Sequence, residues 1–282
     1  MSDAAARPIW LCADDYGMSP GINSAIRDLI VQRRLNATSV MVAAPSFSRA
    51  EAVPLALLNA GGTRAAIGLH VTLTGPFRPM SAGFAPLRGG EFLPLSEMLK
   101  RSMLRLQSRR RLKVEIATQF EAFVRAFGRV PDFVDGHQHV QLFPQVRDLF
   151  LHAVKEIAPD AWVRQCGRVA LPWRQRVADK KALLLDVLSG TFRKRAVQLG
   201  VATNPAFAGA YDFTAPDADF ASLFPGFVEG LPAGGVIMCH PGKVDAELER
   251  LDPLTHQRER EYSFLAGDRF PVVLQERGVT LA

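Results

Sequence analysis

The sequence predicts an α/β protein in which a parallel sheet is covered by helices, and three observations carry this. Short apolar runs alternate along the chain with stretches of helical periodicity, the pattern left by repeated strand–helix units. The conspicuous polar residues fall just after the apolar runs, at the carboxyl ends of the strands, where barrels and open α/β sheets build their sites. The 282 residues, 48% of them hydrophobic, are enough for one sizeable core and ordinary for one α/β barrel. Residues 1–282 are therefore read as a single domain. Alternation does not by itself distinguish a closed barrel from an open sheet.

Ile9 to Ala13 reads as a buried strand. Ser19 then reads as a helix cap and Pro20 as a first-turn proline, with Ile22, Ile26, Leu29 and Ile30 at helical spacing behind them. Ser39 to Ala43 is expected as a second strand, Val53 to Leu58 as part of a helix, and Ala66 to Leu73 as a third strand. Pro76 to Pro94 is rich in Gly and Pro, which predicts a long loop over one end of the fold, able to serve as a lid. A basic helical segment is expected from about Leu95 to Phe127. Phe133 to Gly136 reads as a strand, Val146 to Ile157 as a helix, Trp162 to Gln165 as a further strand and Lys180 to Leu199 as a helix. Gly235 to Cys239 is a late apolar strand, Arg258 to Leu265 a helix, and Val279 to Ala282 a last short strand.

Composition narrows the function classes. The first residues, MSDAAARPIWLCADD, have too short an apolar stretch for a signal peptide and run into two aspartates. No run approaches the roughly 18 apolar residues of a membrane helix, so a cytoplasmic protein is expected. The three cysteines, Cys12, Cys166 and Cys239, suggest neither a disulfide framework nor a cysteine zinc site and read as buried reduced thiols. The net charge of +6 is unevenly spread. Arg101, Arg105, Arg109, Arg110, Arg111 and Lys113 form one cluster, and Arg193, Lys194 and Arg195 another. Such patches attract phosphates or anionic lipid heads, although a solvated helix face explains them equally. The chain carries no recognised nucleic-acid motif. Oligomeric state is open, with a homodimer as the base expectation.

Four clusters carry the chemistry: Asp14-Asp15, Gly68-Leu69-His70, Asp135-Gly136-His137-Gln138-His139 and His240-Pro241-Gly242. They hold four of the six histidines. Each has a bland reading when taken alone. Adjacent aspartates also cap helices or make turns, although two carboxylates side by side repel unless a cation or proton intervenes. His70, inside an apolar run, reads equally as a satisfied core histidine. His137 and His139 would point the same way along an extended strand and so approach one site, or face solvent together. Taken jointly, one carboxylate and two imidazoles make an open metal site with room for water and substrate. A second carboxylate and a further histidine supply an acid–base pair. Phe77, Phe143, Trp162 and Trp173 are candidates to stack on a ring-shaped substrate, or are ordinary core aromatics.

The segments ADDYGMSPGINSAI (13–26), GLHVTLTGP (68–76), VDGHQHVQLFP (134–144) and CHPG (239–242) resemble the YdjC-like carbohydrate deacetylases, which include chitooligosaccharide deacetylases and the hopanoid-associated HpnK proteins. The resemblance spans essentially the whole chain. It implies a distorted (β/α) barrel like that of polysaccharide deacetylases and one divalent metal ion, Zn²⁺ or Mg²⁺ with Mn²⁺ and Co²⁺ as alternatives. It implies Asp15, His70 and His137 as ligands, Asp14 as general base and His240 as general acid or transition-state stabiliser. His139 is first choice for a substrate-side role and second choice for the metal. The family often has another histidine where this chain has Gln141. The implied reaction removes the N-acetyl group of an amino sugar, in an oligosaccharide or a glycolipid. The basic clusters would then suit peripheral contact with a membrane carrying such a lipid. The rivals are another metal hydrolase, such as a phosphoesterase or amidohydrolase, and a non-catalytic binder of anionic surfaces.

Overall fold

The structure, a computed structural model, describes residues 6–61, 65–168, 180–213 and 219–282. Its centre is β1 (Arg7–Tyr16), flanked by β2 (Ala37–Val40) and β7 (Val236–Cys239). Outward lie β3 (Ala66–Val71), β4 (Phe133–Gly136) and β5 (Trp162–Val163) on one side and β6 (Phe207–Ala208) on the other, in the order β5-β4-β3-β2-β1-β7-β6. β8 (Val279–Leu281) pairs with the start of β1. All pairings are parallel.

The sheet curls until its ends meet. Val163 N–H donates to Ala202 O at 2.9 Å and Phe207 N–H to Gly167 O at 3.1 Å, and Val163 bridges Thr203. The result is the expected distorted barrel, with a sparsely bonded seam between β5 and β6. Strands buried on both faces must be apolar nearly throughout, as IWLCA and VIMC are, and as AIGLHV is apart from His70.

The helices follow the predicted pattern with instructive differences. In α1 (Pro20–Val31) the Ser19 hydroxyl accepts from Ile22 N–H, and Ile22, Ala25, Ile26, Leu29 and Ile30 are buried. α2 (Arg49–Ala60) follows β2, which ends earlier than expected because Met41 opens a turn closed by Ala44 N–H on Met41 O. The basic segment is two helices, α3 (Leu95–Met103) and α4 (Arg109–Phe127), separated where Arg105 turns left-handed at φ 58°. α5 (Val146–Ile157) and α6 (Lys180–Leu199) match expectation, and α9 (His256–Ala266) extends it. Among the described residues, β6, α7 (Phe220–Val228), α8 (Ala246–Leu251), α10 (Arg269–Glu276) and a 3₁₀ turn at His137–Leu142 were not expected. α7 contains Pro225 and has no charged face, so neither its periodicity nor its composition marks it as a helix.

Among the described residues, no helix is long and apolar enough to cross a membrane. All three cysteines are buried and free, as read from the sequence. Trp162 stacks on Phe133, 4.5 Å between ring centroids, at the amino-terminal start of β4. It belongs to the core at the end of the sheet opposite the site and is not placed to stack on a substrate. Trp173 lies outside the described residues.

Candidate functional site

The adjacent aspartates are separated by a bulge. Along β1 the register with β2 moves from Ala13↔Thr38 to Tyr16↔Val40, so β1 carries one residue more than its partner. Asp15 sits in the left-handed region at φ 71°, a conformation that Asp tolerates better than most residues. The bulge sends the two carboxylates to different neighbours, so that Asp14 meets Arg164 and Ser39 while Asp15 meets His70, His137 and Arg258.

The rest of the DDYG-x-S-x-G-x-N motif holds this bulge in place. Gly17, at φ 103°, donates its N–H to Asn23 Oδ1 at 2.6 Å, and the Asn23 amide nitrogen reaches Ser46 O and Glu51. Gly21 passes so close to Lys243 O that a Cβ there would overlap it. These motif residues act through backbone geometry and do not enter the site.

Asp15, His70 and His137 converge. Their ligand atoms lie within 4.8 Å of one another, and all three residues are buried. Asp15 Oδ1 is 3.5 Å from His70 Nε2 and 3.1 Å from His137 Nδ1. The far nitrogen of His70, Nδ1, is held by Asp135 Oδ1 at 2.5 Å and Ser39 Oγ at 3.0 Å. Arg258 ties the other oxygen of Asp15 at 2.6 Å and also binds Asp252 at 2.5 Å. One carboxylate oxygen and two imidazole nitrogens facing a common point, each braced from behind, fit a single divalent ion. Burial opposes charge on Asp15, but Arg258 and His137 outweigh it and hold the carboxyl well below its ordinary range. Burial likewise opposes a charge on His70. Asp135, Asp14 and Asp15 more than compensate and push it up to about 10.

Asp14 is gripped by the Arg164 fork, with Nη1 at 2.6 Å from Oδ2 and Nη2 at 2.5 Å from Oδ1, and it also accepts from Ser39 Oγ at 3.0 Å. Arg164 Nη2 reaches Asp135 as well, so one buried guanidinium braces the carboxylates behind both halves of the site. Burial pushes Asp14 up, but Arg164, His70 and His240 pull it below the ordinary carboxylate range. Asp14 is thus ionised and oriented.

His137 and His139 do not lie on a strand. They belong to a 3₁₀ turn (His137–Leu142) with Gln138 and His139 both left-handed, at φ 53° and 60°. The expected common direction is lost. His137 turns to Asp15, while His139 lies outside the ligand cluster with Nδ1 3.4 Å from Cys166 Sγ and its ring edge-on to Phe207. Burial and Arg164 push His139 down to about 3, so it is neutral. Gln141 turns inward, and its amide nitrogen donates to Arg164 O at 3.2 Å.

His240, at the end of β7, faces the aspartates electrostatically. Burial, with Arg258, holds it below its ordinary pKa despite the pull of Asp15 and Asp14. Its ring stands edge-on to Phe213, and its backbone N–H donates to Glu261. Burial pushes Glu261 up to about 7, against hydrogen bonds from Tyr211 and His240 N–H. Phe77 and Phe143 are both buried, and Phe77 packs edge-on against His137 at 5.5 Å. The loop expected over the site is fastened, because Glu115 accepts from the N–H groups of Met80 and Ser81 at 3.1 and 2.8 Å.

Arg164, Arg258 and Glu261 were not among the residues singled out from the sequence, and Asp135 was noted without a role. Arg164 follows the apolar pair Trp162-Val163 at a strand end, the same signal that marks Asp14 and His70. Arg258 and Glu261 lie on a helix whose charged sequence, HQREREYSFLA, gives no hint that these two side chains are buried.

The model of the family described as YdjC-like protein matches residues 8–276. Chitooligosaccharide deacetylase of Serratia marcescens is 27% identical over 270 residues, 95% of this chain and 94% of that protein. Its namesake in Escherichia fergusonii is 30% identical over 135 residues, 48% of this chain and 50% of that protein. Among solved structures, a protein of Enterococcus faecalis named for cellobiose-phosphate cleavage superposes with a TM-score of 0.72 at 20% identity, covering 99% of this chain and 97% of its own. A lactam utilization protein from Thermus thermophilus gives 0.52 at 15% identity, covering 99% of each. At those identities the two structures speak for the fold alone. The family match runs from the first strand into the last helix, through every element that contributes to the Asp15–His70–His137 cluster, and the chain therefore belongs to the YdjC-like family.

Proposed function

We propose that this protein is a metal-dependent carbohydrate N-deacetylase, a hydrolase that removes the acetyl group from an N-acetylated amino sugar and works as a single domain. The observation that carries the reading is the convergence of Asp15, His70 and His137 on one point, beside an ionised Asp14 held by Arg164. Relatives named chitooligosaccharide deacetylase, alignable over nearly their whole length, support the same chemistry.

In this reading Asp15, His70 and His137 hold one divalent ion, with Zn²⁺ and Mg²⁺ as first candidates. Bound there, the ion supplies Lewis acidity to an amide carbonyl and to water. Asp14 accepts the water's proton. Because Arg164 keeps its carboxylate a weak base, Asp14 gives that proton up readily to the neutral His240 ring beside it, and this is the proton that His240 passes on once the C–N bond begins to break. His240 donates to the departing nitrogen, which leaves only when protonated. It starts neutral, because burial disfavours its charged form, and becomes cationic only as negative charge builds nearby. His139, neutral and outside the ligand cluster, is assigned to the substrate side, and Phe77 to a wall of the pocket. Three buried free thiols fit a reducing compartment, and a cytoplasmic location is proposed on that ground.

The test is acetate release from N,N′-diacetylchitobiose and from an N-acetylglucosaminyl lipid, using metal-free protein and protein supplied with Zn²⁺, Mg²⁺, Mn²⁺ or Co²⁺. Metal-dependent release is expected, and the preferred substrate separates sugar from glycolipid. Folded protein that releases acetate from neither substrate with any metal overturns the proposal.

A further inference from the structure

The turn between α3 and α4 breaks two local rules at one exposed place. Between Glu97 and Glu115 the chain has no acidic residue, and Lys100, Arg101, Arg105, Arg109, Arg110, Arg111 and Lys113 fall in that span. Arg109, Arg110 and Arg111 form the first turn of α4, which has no acidic residue. Cations there oppose the helix dipole and repel one another. Arg105 is left-handed where a helix end favours glycine. Its N–H donates to Ser102 O and the next N–H, of Leu106, to Arg101 O. This is a double-bonded helix stop, so the turn is well defined. Among the described residues, the one ion pair made by any of these cations is Lys113 with Glu156 at 4.0 Å, across exposed surface.

The same turn displays large apolar side chains. Met103, Leu104 and Leu106 are 52%, 59% and 55% exposed. In the usual helix stop of this kind, the residue in the Leu106 position packs back on the helix. Here it faces outward, beside Leu104 and among arginines. Local costs that packing does not repay are expected at functional places.

The turn is also fixed to the face of the sheet that carries the site. Gln107 N–H donates to Gln145 Oε1 at 3.0 Å and Gln145 Nε2 to Gln107 O at 3.1 Å, and Gln145 follows the turn that begins at His137. Glu115 of α4 holds the loop that leaves β3. The apolar tip and the site therefore share one end of the barrel.

We infer that the α3–α4 turn is a membrane-docking element. Leu104, Leu106 and Met103 enter the headgroup region of an anionic bilayer, and the surrounding arginines pair with its phosphates. A soluble polyanion such as RNA would use the arginines but has no use for three exposed apolar side chains. This combination of apolar residues and cations is the signature of interfacial binding. Docking concerns where the protein works and is independent of the proposed reaction. If that reading also holds, the docked face presents the site to a lipid-linked amino sugar.

The test is co-flotation of the full-length protein with phosphatidylcholine vesicles and with mixed phosphatidylcholine–phosphatidylglycerol vesicles, at low and high salt, with and without a single-stranded RNA oligonucleotide as competitor. Binding to the anionic vesicles alone, weakened by salt, is expected. Arg109→Gln/Arg110→Gln/Arg111→Gln should reduce partitioning by about a hundredfold, from about fivefold per arginine. Its thermal midpoint should be no lower than that of the parent, since it relieves the helix start. Leu104→Ser/Leu106→Ser should reduce vesicle binding at least about tenfold while leaving binding to the oligonucleotide unchanged. Failure of the parent protein to float with anionic vesicles at low salt overturns the inference. So does a Leu104→Ser/Leu106→Ser variant that floats like the parent, or RNA binding tighter than vesicle binding. None of these outcomes depends on turnover, so failure of the deacetylase reading is seen separately, in the acetate assay.

Discussion

Asp135→Asn isolates the bracing of the proposed metal site from its proposed ligands. Asp135 Oδ1 lies 2.5 Å from His70 Nδ1, and the same carboxylate pairs with Arg164. The aspartate thereby fixes the His70 tautomer, directs Nε2 at Asp15 and adds negative charge behind the ligand. Asparagine keeps the shape and one acceptor but removes the charge. Loss of such a carboxylate typically costs 10–100-fold in metal affinity, about 1.4–2.8 kcal/mol at tenfold per 1.4 kcal/mol. Stability falls too. Breaking a buried ion pair outright costs about 3–5 kcal/mol, but Arg164 retains its two-pronged pairing with Asp14, so the loss should lie below that range. The assay is titration of metal-free protein with Co²⁺, followed by visible absorption or calorimetry, alongside a thermal melt of both proteins. A folded variant whose Co²⁺ affinity stays within about twofold of the parent would show that Asp135 does not brace the ligand, and would refute the reasoning.

The remaining predictions follow from the same geometry. Asp14→Asn and His240→Gln should each lower kcat by roughly 10²–10⁴-fold with Co²⁺ affinity nearly unchanged, and near-parental turnover in either removes that residue's assigned role. Glu261, raised to about 7 from an ordinary 4.5, favours the folded state when protonated. Its stabilisation is fully present below about pH 4.5 and is lost as pH rises through 7, at most about 3 kcal/mol across the window. Stability from urea unfolding should therefore fall more steeply between pH 5 and 8 (roughly that window) in the parent than in Glu261→Gln, and equal slopes would contradict this. Gly68→Ala places a Cβ 2.5 Å from the Phe133 ring and should destabilise by about 1–3 kcal/mol through overpacking. An unchanged thermal midpoint would mean that the ring yields freely.

Much was legible along the chain because parallel strands buried on both faces must be written as continuous apolar runs, and a polar residue at such a run's end has few purposes there. That logic located β1, β3, β4 and β7, and with them Asp14, Asp15, His70, His137 and His240. Local chemistry also sufficed for the Ser19 cap. It failed for α7, whose proline and largely apolar sequence disguise a helix, and for the two-residue strand β6, a segment too short for its pattern to show in the sequence.

The sequence by itself determined which residue types stand at the strand ends and in what order, since hydrophobic burial and strand periodicity act locally. Which of them face one another was decided only by tertiary structure. The bulge at Asp14-Asp15 and the left-handed turn at Gln138-His139 redirect side chains that strand alternation would have aimed otherwise. Arg164 and Arg258 arrive from 150 and 243 residues away along the chain to neutralise the two aspartates. Coulomb attraction between buried charges depends on distance in space, and the barrel alone sets that distance.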